Sequence, residues 1–334
     1  MKNKSFYRHC FWLILTGIFV VISFTACHSF QNNQVKSEQP AKLLHSDHIL
    51  VDNIWDVQGK KVIDKNQLIK KLLNADYVLL GEIHDNISHH KNEAWVVDNL
   101  AMHDRLAAVS FEMIDNEQGR LIENENIDSA TTLIELLNQY KTSWGYETYY
   151  RLLFDRVIAA NIRIHPANIN RKTINKIVMK GEQQLDQELQ QILDQTPLSS
   201  EQRSDMEREI ILSHCGYQAK EMIEPMIRVQ RIRDAAMAAS LLNSKSDIKI
   251  LIAGSGHVRN DHGVPIYLHQ EEKDANVISV ALYEIQENAI DINTYIKQWD
   301  NEKIPFDYVW FTATAEREDP CIKLKQHFKH KNET

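Results

Sequence analysis

The chain has 334 residues, is 43% hydrophobic and 25% charged, and carries a formal net charge of −8. That balance fits one large globular domain, or a domain with an insertion. The acidic excess and the lack of a basic stripe interleaved with aromatics argue against nucleic acid as a partner. The first element, "MKNKSFYRHCFWLILTGIFVVISFTAC", joins a positive start (Lys2, Lys4, Arg8) to an apolar run from Phe11 to Phe24. The run is too short and too soon polar to be a good membrane span, so residues 1–26 read as an export signal. Thr25 and Ala26 before Cys27 resemble a bacterial lipobox, although Phe24 stands where Leu is usual. Cleavage there would leave Cys27 as a lipidated N-terminus. Residues 27–47 have few large apolar side chains and read as a flexible tether.

The domain is expected from residue 48 to 334. "HILVDNIWDVQGKKVID" reads as two short strands around a turn at Gly59, and "NQLIKKLLNA" as a short amphipathic helix. Six apolar runs of strand length follow: "YVLLGEI", "LAAVSFEMI", "NIRIHPANI", "IKILIAGSG", "NVISVALYEI" and "YVWFTATA". Near-continuous apolar runs mark strands buried on both faces, and helical patterns separate most of them. The expected fold class is therefore α/β, a parallel β-sheet flanked by helices. Two intervals, about 116–155 and 170–244, are too long for single crossovers and read as a smaller all-helical subdomain. Gly216 is expected to end one helix there, and Pro225 to start or kink the next. Cys215 and Cys321 permit a disulfide in an exported protein, but sequence alone does not pair them.

In open α/β sheets, ligands sit at the carboxyl ends of the strands. Glu82 and His84 end the first long run, Glu112 the second, Asn168 the third, and Ser255 and His257 the fourth. Strand alternation places Glu82 and His84 on one side. Such a carboxylate–imidazole cluster supports acid–base chemistry or a divalent metal. The blander reading is a hydrogen-bonded network that seals the edge, with Asp85 or Ser88 capping the next helix and His89 and His90 on its exposed start. A second cluster, "WGYETYYRLLFD", sets Tyr146, Tyr149, Tyr150 and Leu153 on one helix face. The spacing favours an aromatic core stripe. The alternative is a flat apolar pocket holding a phenolic oxygen, and tyrosinate is an axial ligand of ferric haem. "SHCGYQAKEM" adds His214, Tyr217 and Lys220 near a helix end.

With "VLLGEIHDNISHH", "FEM", "WGYETYYRLLFD", "PAN", "SHCG", "VQRIRDAAMA" and "AGSGHVRNDHGVPIYL" in this order, the chain resembles the ChaN family of haem-binding lipoproteins from about Ile49 onward. The resemblance implies a parallel sheet with flanking helices and a small helical domain. It implies ferric haem, held as a stacked pair in a homodimer, each iron bound by one tyrosine. Tyr150 is the first choice for that ligand, with Tyr149 and Tyr146 as fallbacks. It implies that His214 meets a haem propionate together with a lysine, for which Lys180 and Lys220 are the candidates. It further implies haem or iron uptake at the bacterial cell envelope: a lipid anchor on the periplasmic side of the outer membrane, and an outer-membrane haem receptor as a partner. The strand end "GE.H" also resembles a wider erythromycin esterase-like and TraB-like group. That leaves a metal-dependent hydrolase using Glu82, His84, Glu112 and His257 as the alternative.

Overall fold

The computed structural model describes residues 39–103, 107–140, 142–180, 185–217, 220–299, 303–319 and 321–322. The expected signal at 1–26 and Cys27 lie outside them. In chain order, β1 (Leu43–Leu44) is followed by β2 (Ile54–Asp56) and β3 (Lys61–Ile63), then α1 (Lys65–Leu72) and β4 (Tyr77–Glu82). Next come α2 (Ile87–Ala101), β5 (Ala107–Asp115), α3 (Asn116–Asn124) and α4 (Ala130–Leu137). A π-helical turn, Tyr146–Tyr150, leads into α5 (Arg151–Ala159) and β6 (Arg163–Asn168). Four helices then run in succession: α6 (Arg171–Lys180), α7 (Gln187–Gln195), α8 (Ser200–Ser213) and α9 (Lys220–Leu242). The chain continues through β7 (Ile248–Gly254), α10 (Val264–Glu271), β8 (Val277–Glu284), α11 (Ile292–Ile296), β9 (Tyr308–Thr312) and β10 (Thr314–Ala315).

The main sheet has the order β3-β2-β9-β8-β4-β7-β5-β6. From β9 to β6 the strands are parallel, and the β2–β3 hairpin is added antiparallel at one end. The turn at Gly59 forms as expected: the Asp56 carboxylate accepts the Gly59 N–H at 2.7 Å. A Cβ at Gly59 would sit 2.7 Å from that carboxylate, so the close approach requires glycine. β1 pairs antiparallel with β10. The segment expected as tether thus already holds ordered chain at Leu43–Leu44.

Alternation along each strand divides the core in two. In β4, Val78 and Leu80 face one side with α1, α2, α4 and α5, whereas Tyr77 and Leu79 face the other with α6, α7, α9 and α10. The two long helical intervals therefore do not form one subdomain. The first packs on one face of the sheet and the second on the opposite face. What stands clear of the core is α8, where Met206 alone is buried, and the outer half of α9, whose burial begins at Ile227. Pro225 lies inside α9 rather than at its start. A left-handed turn at Cys215 and Gly216 ends α8, and the Gly216 N–H donates to the Ile211 carbonyl. Cys215 is disulfide-bonded to Cys321 with their Cα atoms 5.7 Å apart, which ties this turn to the C-terminal segment. Among the described residues no helix is long and apolar enough to cross a membrane.

Candidate functional site

The carboxyl ends of β4, β5 and β7 carry a polar network that wraps over the sheet edge. Glu82 follows Val78 and Leu80 in alternation, so it faces α2 and α5. One of its oxygens takes the His84 Nδ1 and the Tyr150 hydroxyl, each at 2.7 Å. The other lies 2.9 Å from the His90 Nδ1, which is also 3.1 Å from Glu93. The His90 Nε2 donates to the His84 carbonyl at 3.0 Å. Glu82, His90 and Glu93 are all buried, and their ligand atoms lie within 4.8 Å of one another.

Burial alone would raise the Glu82 carboxyl, but His90 and His84 outweigh it and hold it well below the usual carboxylate range. Burial would lower His90, and Glu82 and Glu93 instead lift it well above the ordinary imidazole value. Burial, reinforced by the nearby Glu82 charge, pushes Glu93 up to about 8, so it is neutral at pH 7. The trio then carries one negative and one positive charge, which is how a buried ionic cluster becomes tolerable.

Glu112 has the opposite parity and faces α9. A register shift between β5 and β6 falls between Phe111 and Asp115, where a bulge can re-aim a side chain. Glu112 accepts the Gly254 N–H at 2.8 Å and lies 3.5 Å from the His257 Nε2. The His257 Nδ1 meets Asp234 of α9 at 2.5 Å. Burial would lower His257, but Glu112 and Asp234 raise it to about 10. Burial would raise Glu112, but His257 brings it down to about 2. His84 stands between the two halves: its Nε2 is 3.8 Å from Glu112, and a Cβ on Gly254 would come within 3.1 Å of it. Burial lowers His84, while Glu82 and Glu112 raise it further, so its net shift is upward.

Above this floor lies a cleft of about 580 Å³, within the usual range of cofactor and small-molecule sites. Its floor is Glu82, His84, Glu112 and the Gly254–His257 turn, and its walls are one face of α8 and one face of α9. The walls are rich in apolar and methionine side chains (Met206, Ile210, Met222, Met226, Val229), a surface that adapts to a flat ligand. His214 lines the cleft. Its Nδ1 is 2.8 Å from the Ile210 carbonyl, to which it donates. With Nδ1 engaged in that bond, Nε2 is the ring nitrogen left for a ligand.

Glu82, His84, Glu112 and His257 thus converge, and Ser255 joins them. They meet in pairs rather than around one point. Among the described residues the one set of three or more ligand atoms within 4.8 Å is Glu82, His90 and Glu93. The tyrosine expected to reach a ligand does not face the cleft: Tyr150 is 0% exposed, with its hydroxyl on Glu82. Burial, aided by the Glu82 charge, raises that phenol well above its ordinary value, which opposes tyrosinate formation there. Tyr146 is buried and donates to the Met113 carbonyl, and half-buried Tyr149 lies against His90. The aromatic core reading is the one realised for Tyr146 and Tyr150.

His89 and His90, expected on an exposed helix start, are both fully buried. His89 accepts the Ile83 N–H and bonds Thr312, and burial lowers it to about 3, so it is neutral. The cap of α2 is Asn86, not Asp85 or Ser88. Lys220 is exposed and outside the cleft lining, and the Lys180 side chain lies outside the described residues. Sequence reasoning missed Asp234, Gln230 and Arg233, although their spacing on α9 with Met222, Met226 and Val229 was available as a signal.

The fold and site define a ChaN-like α/β protein with its cleft at the carboxyl edge of the sheet. The sequence model of the family described as "Haem-binding uptake, Tiki superfamily, ChaN" matches residues 68–268, and the chain belongs to that family. Among solved structures the chain is similar to one described as cofacial heme binding to ChaN of Campylobacter jejuni. The TM-score is 0.60 and the identity 22%, over 77% of this chain and 95% of that one, a likeness of fold. It also aligns with a mutant of the erythromycin esterase EreC in its open conformation, at a TM-score of 0.43 and 14% identity, over 81% of this chain and 99% of that one. No curated protein matches the sequence.

Proposed function

We propose that this chain binds ferric haem in the cleft between the sheet edge and the α8–α9 arm, and serves haem or iron uptake at the cell envelope. The observation that carries this reading is the apolar rim of the cleft. Val178 and Met222, 36% and 44% exposed, line the cleft together with Met206, Ile210, Met226 and Val229. Exposed apolar side chains clustered at a pocket mouth mark a binding surface. A planar macrocycle laid on the methionine wall would cover them, and its outer face would favour a second copy, so haem and dimerisation would be linked. Family membership supports the same ligand.

The residues present fit haem. Met206, Ile210, Met222, Met226 and Val229 would hold the macrocycle. The iron ligand would come from the α8–α9 turn, with His214 first and Tyr217 second; ligation by Tyr150 would first have to break its bond to Glu82. Bound haem would supply an iron centre for transport or exchange. In this proposal Cys27 carries lipid and the leader 1–26 is removed, placing the protein on the periplasmic side of the outer membrane, within reach of a haem receptor. Haemin titration of a chain lacking residues 1–26, followed by Soret absorption and sedimentation, tests the reading; no saturable change would refute it.

A second reading rests on the paired carboxylates and imidazoles of the floor. His84, oriented by Glu82 and open to the cleft, has the placement of an acid–base group in hydrolysis. The metal version of this reading needs Glu82, His84, Glu112 and His257 to move together around one ion. Turnover of an ester and peptide panel that disappears in His84→Ala would favour it over haem binding.

A further inference from the structure

Along α9, Met222, Pro225, Met226, Val229, Gln230 and Arg233 all line the cleft. Their spacing of three, one, three, one and three places them on one helix face. The stripe changes character along its length. Its outer four members are apolar and its inner two are polar, and the next residue, Asp234, is already bonded to His257 on the floor. Gln230 reaches the same His257 at 3.0 Å. The cleft therefore runs from an apolar mouth to a polar inner end.

Arg233 is the one lysine or arginine among the described residues that line the cleft. The acidic groups lining it are already engaged. Glu82 holds His84, Tyr150 and His90; Glu112 holds Gly254 and His257; Glu209 lies 3.3 Å from both Arg259 and His262. Arg233, by contrast, makes no hydrogen bond or ion pair with any described residue, and its Nε is buried without a partner. A guanidinium cannot shed its proton, and a buried donor left without an acceptor is costly. A planar fork of donors on the inner, polar part of the cleft lining matches a carboxylate, which it can take in bidentate fashion.

We infer that Arg233 is the anion anchor of the cleft, receiving a carboxylate of an amphipathic ligand whose apolar body lies outward against Met222 and Met226. Combined with the haem reading, on which this assignment of the ligand rests, the carboxylate is a haem propionate. The cationic partner of the propionate is then Arg233 on the inner face of α9, in place of Lys180 or Lys220. A long-chain fatty acid offers the same chemistry, and the two sources are separable.

The test is a titration of the chain lacking residues 1–26, and of its Arg233→Gln and Arg233→Lys variants, with haemin, haemin dimethyl ester and the fluorescent fatty acid cis-parinaric acid. Thermal unfolding of each variant establishes that it is folded. The expected result is that the unsubstituted chain binds haemin about 10- to 100-fold more tightly than the diester. Arg233→Gln should lose that preference with its diester affinity unchanged, and Arg233→Lys should recover part of it. Equal binding of haemin and diester by the unsubstituted chain, or unchanged haemin affinity in Arg233→Gln, overturns the anchor. Binding of the fatty acid alone, lost in Arg233→Gln, keeps the anchor and overturns the haem reading. Binding of none of the three probes overturns both.

Discussion

The floor of the cleft and its wall are built on opposite plans. On the floor, Glu82, His90, Glu93, Glu112, His257 and Asp234 are buried and bonded chiefly to one another. On the wall, α9 leaves Met222 exposed at its outer end and the Nε of Arg233 without an acceptor further in. A group with its bonding capacity filled internally sets shape and charge, whereas an unfilled one is available to a ligand. In the reading proposed above, the ligand therefore belongs to the wall, and the dense carboxylate–histidine cluster would hold the edge in place and aim His84.

The largest effect should come from breaking the floor. Glu82→Ala would remove the acceptor of His84, Tyr150 and His90 together and leave a buried charge unpaired. A loss of about 3–5 kcal/mol in stability is expected by chemical denaturation. If the loss is below about 1 kcal/mol, the floor is not the structural element described. The wall should respond in the other way. Met222→Asp with Met226→Asp should leave the unfolding midpoint nearly unchanged and weaken haemin binding by about 30-fold or more, since it puts charge against an apolar ligand face. Loss of stability with binding intact would reverse the two assignments.

The floor also fixes a pH profile. His257 is raised from 6.5 to about 10, so its contribution is complete below about pH 6.5 and is lost as pH rises toward 10. Glu93, raised to about 8, binds its proton more tightly when folded, and so also lowers stability as pH rises from about 4.5 to 8. Glu112 is depressed to about 2, so its contribution is present above about 4.5 and is lost as pH falls toward 2. Denaturation midpoints measured from pH 3 to 10 should peak near pH 5–6, and His257→Gln should flatten the alkaline limb. A profile still rising at pH 8 would contradict the pairing.

The smallest effect is expected at Tyr150. Tyr150→Phe removes one hydrogen bond to Glu82 and should cost about 1–2 kcal/mol, while the haemin spectrum stays the same. A lost Soret band in this variant would restore the tyrosine ligand and move the ligand away from the wall.

Much of the fold was legible because each parallel strand is buried on both faces, which writes a continuous apolar run such as "YVLLGEI". The convergence of Glu82, His84, Glu112 and His257 followed from their common position at strand ends. What was not legible depends on contacts distant in sequence. His89 and His90 look like an exposed helix start, but the π-helical turn at Tyr146–Tyr150 closes over His90 and β9 supplies Thr312 to His89. The two helical intervals look alike in sequence, and only strand parity decides that they take opposite faces. Tyr150 reads as a ligand in the sequence, where nothing announces its hydrogen bond to Glu82, 68 positions away in the chain.

The most direct test is a haemin titration of the chain lacking residues 1–26, run in parallel with His214→Ala and Tyr150→Phe and read by Soret absorption. A saturable band is expected in the unsubstituted chain, an altered or weakened band in His214→Ala, and an unchanged band in Tyr150→Phe. The absence of any saturable band, or a band that survives in His214→Ala and vanishes in Tyr150→Phe, would contradict the proposed site.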